Sequence, residues 1–555
     1  MADAAHDHDH DAHPPARPMA RVRALLRPER RDLVTVVVFA LAVAVLSLAT
    51  PIAVESLVNT VSFGVLLWPV LVIAAVLLGC LGLAAAVRAL QVYVVECLQR
   101  RLFVRVVADY ANRLPRVRLD ALDNRYGPEL ANRFFDILTV QKSLAMLLLD
   151  GVAIVVTAAV GLVVLAFYHP FLLGFDLVLI GLIAVLLFGL GRGGVRTALR
   201  ESHAKYDVAA WLEELLRGLR GLKFAAGPGL ALATADRLAD EYVTARRAHF
   251  RVVWRQTLFA LGLQVLASVA LLGLGGWLVI EKRLTLGQLV AAELIVSLVV
   301  ASVAKLGKYT ESFYDLLAGA EKLGLLTDLP LDRAGGEPVP AGDRGLAVRA
   351  RGVGRWPDWR AGPGERVAVC GPPGAGKTHL FEVVCGLRDA EGGLVEVEGI
   401  DLRGLDLDDY RARAALVGGA DLFLGTVLEN VRVGRTDLDP TAVRQALDAV
   451  GLTETVHGLP DGLDTPLTPD GSHLSDSQAV RLTLARALAG RPRLLILDGT
   501  LDALDLRDCP RLVDRLFDRA APWTLLVASA DPDVIARCDR AVEVAGWHQP
   551  GLPAH

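Results

Sequence analysis

The sequence predicts an all-α membrane domain of six transmembrane helices followed by a soluble α/β domain. Three observations carry that expectation. The chain is 53% apolar with a mean hydropathy of +0.42, yet 22% of its 555 residues are charged, so the two kinds of residue must be segregated. Six long runs nearly free of charge precede Lys305. After a Pro-, Gly- and Asp-rich linker, "LLTDLPLDRAGGEPVPAGDRG", the composition becomes that of a soluble unit of strands and helices.

The opening stretch, "MADAAHDHDHDAHPPARP", has no apolar core and no small-residue cleavage site, so residues 1–31 read as a disordered tail rather than a secretory signal. His6, His8, His10 and His13 lie in it, as a solvated tract or a metal-binding one. The run 33–54 contains no charged residue and is long enough to cross a bilayer, which takes about 20 residues. Five more follow at 65–87, 151–168, 171–190, 257–280 and 284–304. Arg17, Arg21, Arg23, Arg27, Arg30 and Arg31 precede the first span. Arg100, Arg101, Arg105, Arg113, Arg116 and Arg118 follow the second, whereas the first two outer connections hold no Lys or Arg. The positive-inside rule then puts the N-terminus and the soluble domain in the cytosol.

The two inner connections mix helical apolar spacing with charge, as in "ECLQRRLFVRVVADYANRL", which extends the transmembrane helices into two cytosolic hairpins. Asp176 and Glu293 fall at membrane depth. They either line a substrate path or are satisfied by a neighbouring helix. The expected division is a tail at 1–31, a membrane domain at 32–328, a linker at 329–345, a soluble α/β domain at 346–545 and a tail at 546–555. Net charge is −4 and the arginines are scattered, which gives no basic patch and no nucleic-acid partner. Cys80, Cys97, Cys370, Cys385, Cys509 and Cys538 show no CxxC pair and no metal spacing, the pattern of reduced structural thiols.

In the soluble domain, "VAVCGPPGAGKTHLFEVVCG" reads as strand, glycine-rich turn and helix. Gly371, Gly374, Gly376, Lys377 and Thr378 fit G-x-x-x-x-G-K-[ST], a P-loop that also takes in Pro372, Pro373, Ala375 and His379. Its backbone N–H groups curl round phosphate, Lys377 reaches the β- and γ-phosphates, and Thr378 offers a hydroxyl to Mg²⁺. "RPRLLILD" supplies the second strand such a fold requires, with Asp498 at its carboxyl end to hold Mg²⁺ through water. ATP and Mg²⁺ are the cofactors this pattern implies.

With "GSHLSDSQAVRLTLARALAG" lying between those two motifs, residues 33–544 resemble an ABC transporter subunit of the exporter type, a half-transporter with its membrane domain fused ahead of its nucleotide-binding domain. The resemblance implies that Trp356 stacks on adenine, that Ser475 belongs to the signature facing the other subunit's ATP, and that Asp505 is the D-loop aspartate. It also implies three losses. Gly418 stands where the family has the Q-loop glutamine, Gly499 where it has the water-polarising glutamate, and Ala530 where it has the switch histidine. A positioned general base is worth about 10² to 10⁴ in rate, so no catalytic group is intact while the binding groups remain.

"LSDSQ" departs from the family's LSGGQ. Asp476 either brings a carboxylate towards the γ-phosphate, a repulsion of about 1 kcal/mol even in water, or turns to solvent while Ser475 and Gln478 form an S-x-x-Q capping box. The implied protein is an ATP-binding half-subunit in the lipid bilayer of a bacterial plasma membrane. It would be hydrolytically impaired and paired with an active second half-transporter, coupling ATP binding and dimer closure to export of an unidentified substrate. The alternatives are a slow but active homodimer and an ATP-binding regulatory or structural membrane protein that transports nothing.

Overall fold

A computed structural model describes residues 18–62, 67–123, 132–224, 227–354, 356–469, 471–504 and 509–544. The chain divides into two compact units, one of Met1–Pro115 with Asn124–Leu329 and one of Arg116–Asp123 with Pro330–His555. All six cysteines are free thiols.

The first unit is helical. Its elements are α1 (Pro18–Leu26), α2 (Arg30–Ser47), α3 (Ala49–Ser62), α4 (Leu67–Arg113), α5 (Asp136–Met146), α6 (Val152–Tyr168), α7 (Pro170–Ala184), α8 (Gly194–Arg217), α9 (Gly227–Ile280), α10 (Leu286–Ala304) and α11 (Leu306–Thr327). Five continuous helical stretches, Pro18–Thr60, Trp68–Arg116, Arg133–Tyr168, Pro170–Arg217 and Gly227–Ile280, are long and apolar enough to cross a membrane, and Leu286–Val299 is a shorter apolar helix. Leu78, Val163 and Leu266 are more than half exposed on them. Side chains this apolar, facing outward along whole helices, suit hydrocarbon rather than water. The second and fifth helices continue well past the apolar windows, as the mixed charge of the inner connections predicts.

The predicted tail of 1–31 is helical from Pro18. Proline suits the first turn of a helix, where its missing N–H costs nothing. Arg21 then holds the helix in place through Asp328, 2.6 Å away, and Arg105 donates to the carbonyl of Leu25. The His-rich tract and residues 546–555 lie outside the described residues.

The fourth apolar run breaks at its C-terminal end. A π-helical turn at Val185–Gly189 ends the span, and Gly193, at φ 87°, starts α8 in a conformation that only glycine adopts cheaply. Such a break frees carbonyls at membrane depth, and neighbouring helices must satisfy them. Gln256 donates to Leu186 O at 3.4 Å, Arg255 to Leu190 O at 2.7 Å and the Tyr314 hydroxyl to Gly191 O at 3.2 Å. A Cβ at Gly194 would collide with the Tyr314 ring.

The second unit is α/β. Its strands are β1 (Val348–Arg351), β2 (Trp359–Ala361), β3 (Arg366–Cys370), β4 (Leu394–Val397), β5 (Ile400–Asp401), β6 (Ala414–Val417), β7 (Gly425–Thr426), β8 (Pro466–Leu467), β9 (Leu494–Asp498), β10 (Thr524–Ala528) and β11 (Arg540–Glu543). An antiparallel sheet runs β2-β1-β4-β5, and a parallel one runs β11-β3-β10-β9-β6. "VAV", "LLIL" and "LLVA" in β3, β9 and β10 are fully buried, because a parallel sheet is covered on both faces. Residues Arg116–Asp123, the first inner turn, group with this unit. Arg388 forks onto both oxygens of Asp123, the longer bond being 2.6 Å, and Arg118 reaches Asp389 at 2.7 Å.

The Gly194 and Tyr314 contact gives a stability test. Gly194→Ala should lower the stability of the detergent-purified protein by about 1–3 kcal/mol, the usual range for overpacking. Combining it with Tyr314→Ala should give a loss smaller than the sum of the two single losses in thermal unfolding, since Tyr314→Ala removes the ring that the added Cβ would strike.

Candidate nucleotide site

The parallel sheet fixes where the site lies. β3 ends at Cys370, and the turn that follows leads into α12 (Lys377–Val384), whose N-cap is Gly376 at φ 85°. Gly371 admits no side chain, since a Cβ there would lie 2.5 Å from the carbonyl oxygen of Val544. The amide of Ala375 donates to Pro372 O at 3.1 Å, which curls the turn. The Lys377 ammonium folds back onto that turn, 2.8 Å from Gly371 O and 3.0 Å from Pro372 O. Pro373, Gly374 and Thr378 are exposed at its rim. The result is a glycine-rich loop capped by a helix N-terminus, the arrangement that binds phosphate through backbone N–H groups.

β10 lies between β3 and β9, and Ala528 stands opposite both Val369 and Asp498. Asp498 is therefore at the same carboxyl edge as the phosphate loop, two strands or about 10 Å across the sheet. β6 completes the edge, with Val417 opposite Leu497. This places Gly418 beside Asp498, its missing Cβ 3.9 Å from the Asp498 Cβ. Ala530 is exposed two residues beyond β10 on that edge. Gly418, Gly499 and Ala530 thus share the sheet edge of Asp498.

The backbone at this edge is tied down by groups that the sequence reading missed. The Thr500 hydroxyl donates to Val417 O, joining β9 to the turn that holds Gly418. Asp502 accepts from the Ser529 hydroxyl and, at 3.2 Å, from the Ala530 amide. Gly499 donates its N–H to Ala528 O at 3.1 Å and adopts φ 64°. The signal for Asp502 was present in the acidic pair of "DGTLDALD", but nothing in the spacing links it to Ser529.

The family description "ABC transporter" matches residues 357–501, and "ABC transporter transmembrane region" matches residues 33–303. The chain belongs to the ABC transporters. It is of the exporter type, with both regions in one polypeptide. It is 34% identical over 288 residues to a multidrug efflux ATP-binding/permease protein of Mycobacterium tuberculosis, covering 49% of this chain but only 24% of that protein. It is 28% identical over 365 residues to an ATP-dependent lipid A-core flippase of Thiobacillus denitrificans, covering 63% and 62%. A mycobactin import ATP-binding/permease protein of Mycolicibacterium thermoresistibile is 27% identical over 469 residues, covering 79% and 78%. The chain thus spans about a quarter of the first of these relatives and under two thirds of the second. A solved structure of a bacterial Atm1-family ABC exporter with ATP bound superposes with a TM-score of 0.81 at 19% identity, covering 94% and 95%, a likeness of fold alone.

ABC exporters act as dimers in the membrane, and their nucleotide-binding domain implies ATP binding. Against that background the remaining predicted residues divide. Ser475 caps α13 (Asp476–Ala489): its hydroxyl accepts from Gln478 N at 3.3 Å, and Gln478 Oε1 accepts from Ser475 N at 2.8 Å. The capping box is formed and Asp476 is exposed at the helix start. Trp356 is only 8% exposed, its ring 5.5 Å from that of His379. A base stacked on a whole indole face needs more of that face open. Asp505 lies outside the described residues.

Backbone strain separates two of the lost positions. Gly499→Glu forces a side chain onto a left-handed residue and should cost about 1–2 kcal/mol, although the space around it is open. Gly418→Gln meets ordinary contacts and should cost less than half of that. Thermal unfolding of the two single variants checks the order.

Proposed function

We propose that this ABC subunit binds Mg-ATP, closes on it with a second half-transporter, and hydrolyses it slowly or not at all by itself. The observation that carries the reading is that Gly418, Gly499 and Ala530 share the sheet edge of Asp498, with no side chain at any of them able to polarise or orient water. Lys377 and the P-loop amides would hold the phosphates. The Thr378 hydroxyl and the Asp498 carboxylate, hard oxygen donors on the same sheet edge, fit Mg²⁺. Bound there, Mg²⁺ would offset charge on the phosphate oxygens.

ABC domains pair head to tail, so each site combines one subunit's P-loop with the other's signature. A homodimer of this chain would lack the glutamate in both sites. A partner bearing that glutamate would restore one of them, which favours a heterodimer. Closure on ATP would move the cytosolic hairpins and switch the membrane path between its two faces. The arginines before the first span support a cytosolic N-terminus and nucleotide domain in a bacterial plasma membrane. Export is the direction favoured by the exporter-type fold, although one relative is named for import.

The test is nucleotide turnover by the purified chain, with and without whatever subunit copurifies from the native host. The lone chain should retain a non-hydrolysable ATP analogue, lose it on Lys377→Ala, and turn over ATP about 10² to 10⁴ more slowly than the assembled pair. Gly499→Glu by itself should not restore the rate, because residues 418 and 530 remain without functional groups. Robust hydrolysis by the lone wild-type chain, abolished by Lys377→Ala, would overturn the impaired-subunit reading.

A further inference from the structure

α10 is packed on one side and open on the other. Ala291, Ala292, Ile295, Val296 and Val299 are buried at 0–1% exposure. On that side Gly287 approaches Asn59 of α3, Gly161 of α6 approaches Ile295, and Leu289 fills the space left by Gly275 of α9. The opposite face presents Glu293, Leu294, Ser297 and Leu298, positions that repeat at helical spacing. Leu294 and Leu298 are 39% and 41% exposed, and Ser297 is exposed. None of the chain's own described helices covers this stripe.

A carboxylate cannot face lipid cheaply, so the stripe must border protein or a wet cavity. Glu293 has a single hydrogen-bond partner among the described residues, the Ser297 hydroxyl at 3.3 Å, and its Oε2 is shielded from solvent with no partner. No Lys or Arg among the described residues is paired with it. Arg88, the cation at the inner end of the second span, is committed to Asp150 at 2.6 Å. Asp176 also keeps both carboxylate oxygens without a partner among the described residues, but it is 2% exposed within the packed helices, whereas Glu293 lies beside half-exposed leucines. Glu55 on α3 accepts from the Tyr168 hydroxyl at 2.7 Å. Glu293 is thus a shielded, uncompensated carboxylate flanked by two leucines on an open face.

We propose that Glu293 and Ser297 form a binding site on the transport path for a hydrophobic monovalent cation. The inference rests on the transporter reading above and names its substrate class. The carboxylate supplies the one charge the ligand must match, Ser297 orients it, and Leu294 and Leu298 take up the ligand's apolar surface. A neutral amphiphile of the same size would leave Glu293 uncompensated, and an anion would be repelled.

The test uses two ions of nearly equal size and shape and opposite charge, tetraphenylphosphonium and tetraphenylborate. Their equilibrium binding is measured without nucleotide on the full chain in lipid nanodiscs, together with its copurifying subunit where there is one. Tetraphenylphosphonium should bind saturably and lose about tenfold or more in affinity on Glu293→Gln, while Glu293→Asp retains most of it. Tetraphenylborate should bind more weakly, gain affinity on Glu293→Gln because the repelling charge is gone, and stay weak in Glu293→Asp. An unchanged thermal unfolding transition together with retention of an ATP analogue shows that each variant is folded in both units. Equal affinity for the two ions, or unchanged tetraphenylphosphonium binding in folded Glu293→Gln, would overturn the proposal. Because ion binding is read without nucleotide and ATP turnover without the ion, failure of one reading is distinguishable from failure of the other.

Discussion

The parallel pairing of β10 with β3 on one side and β9 on the other is the constraint on which the nucleotide domain depends. Ala528 is opposite Val369 in one strand and Asp498 in the other, so a single register sets the P-loop and the Asp498 carboxylate on one edge. A slip of one residue would turn every side chain of a strand to the other face, and both faces here are buried. The apolar runs of these strands therefore fix chemistry as well as stability. β6 follows the same register and brings in Gly418, and the turn after β10 brings in Ala530.

Under the proposed function, that edge separates binding from turnover. Phosphate is held by backbone N–H groups and one lysine, which the glycine-rich turn supplies whatever side chains surround it. Turnover needs side chains that polarise and align water, and the resemblance assigns that work to the positions held here by Gly418, Gly499 and Ala530. The space has not simply been vacated. Gly499 takes a left-handed conformation, and Asp502 gathers the Ser529 hydroxyl and the Ala530 amide. The hydrogen bonds that stabilise this loop are thus organised by a different carboxylate, and restoring one catalytic side chain would place it on a backbone that has settled otherwise.

The membrane unit solves a related problem of polar groups without water. Where the fourth span breaks, the carbonyls of Leu186, Leu190 and Gly191 are met by Gln256, Arg255 and Tyr314 from two other helices. The close approach this needs explains the run "GLGRGG", since a side chain at Gly194 would displace Tyr314. Exposure, rather than pairing, separates Asp176 from Glu293, since both keep carboxylate oxygens without a partner among the described residues. One is enclosed among packed helices and the other stands on an uncovered face, a distinction that hydropathy cannot make because both interrupt apolar runs.

The legible part of the sequence was the part written in local pattern. Long uncharged runs gave the spans, and "GPPGAGKT" between an apolar strand and a helix gave the phosphate loop. The S-x-x-Q spacing gave the cap that Ser475 and Gln478 form. Whatever depended on distant partners was not legible. Nothing near Pro18 announces that Asp328 will hold the first helix, so the ordered chain begins earlier than composition suggests. Nothing in "RWPDW" tells that Trp356 will be buried against His379. Nothing in the spacing links Asp502 to Ser529, which the sheet places beside it. Each of these residues acts through an interaction closed over a large sequence separation, and only the register of the parallel sheet and the packing of the helices specify which separations are closed.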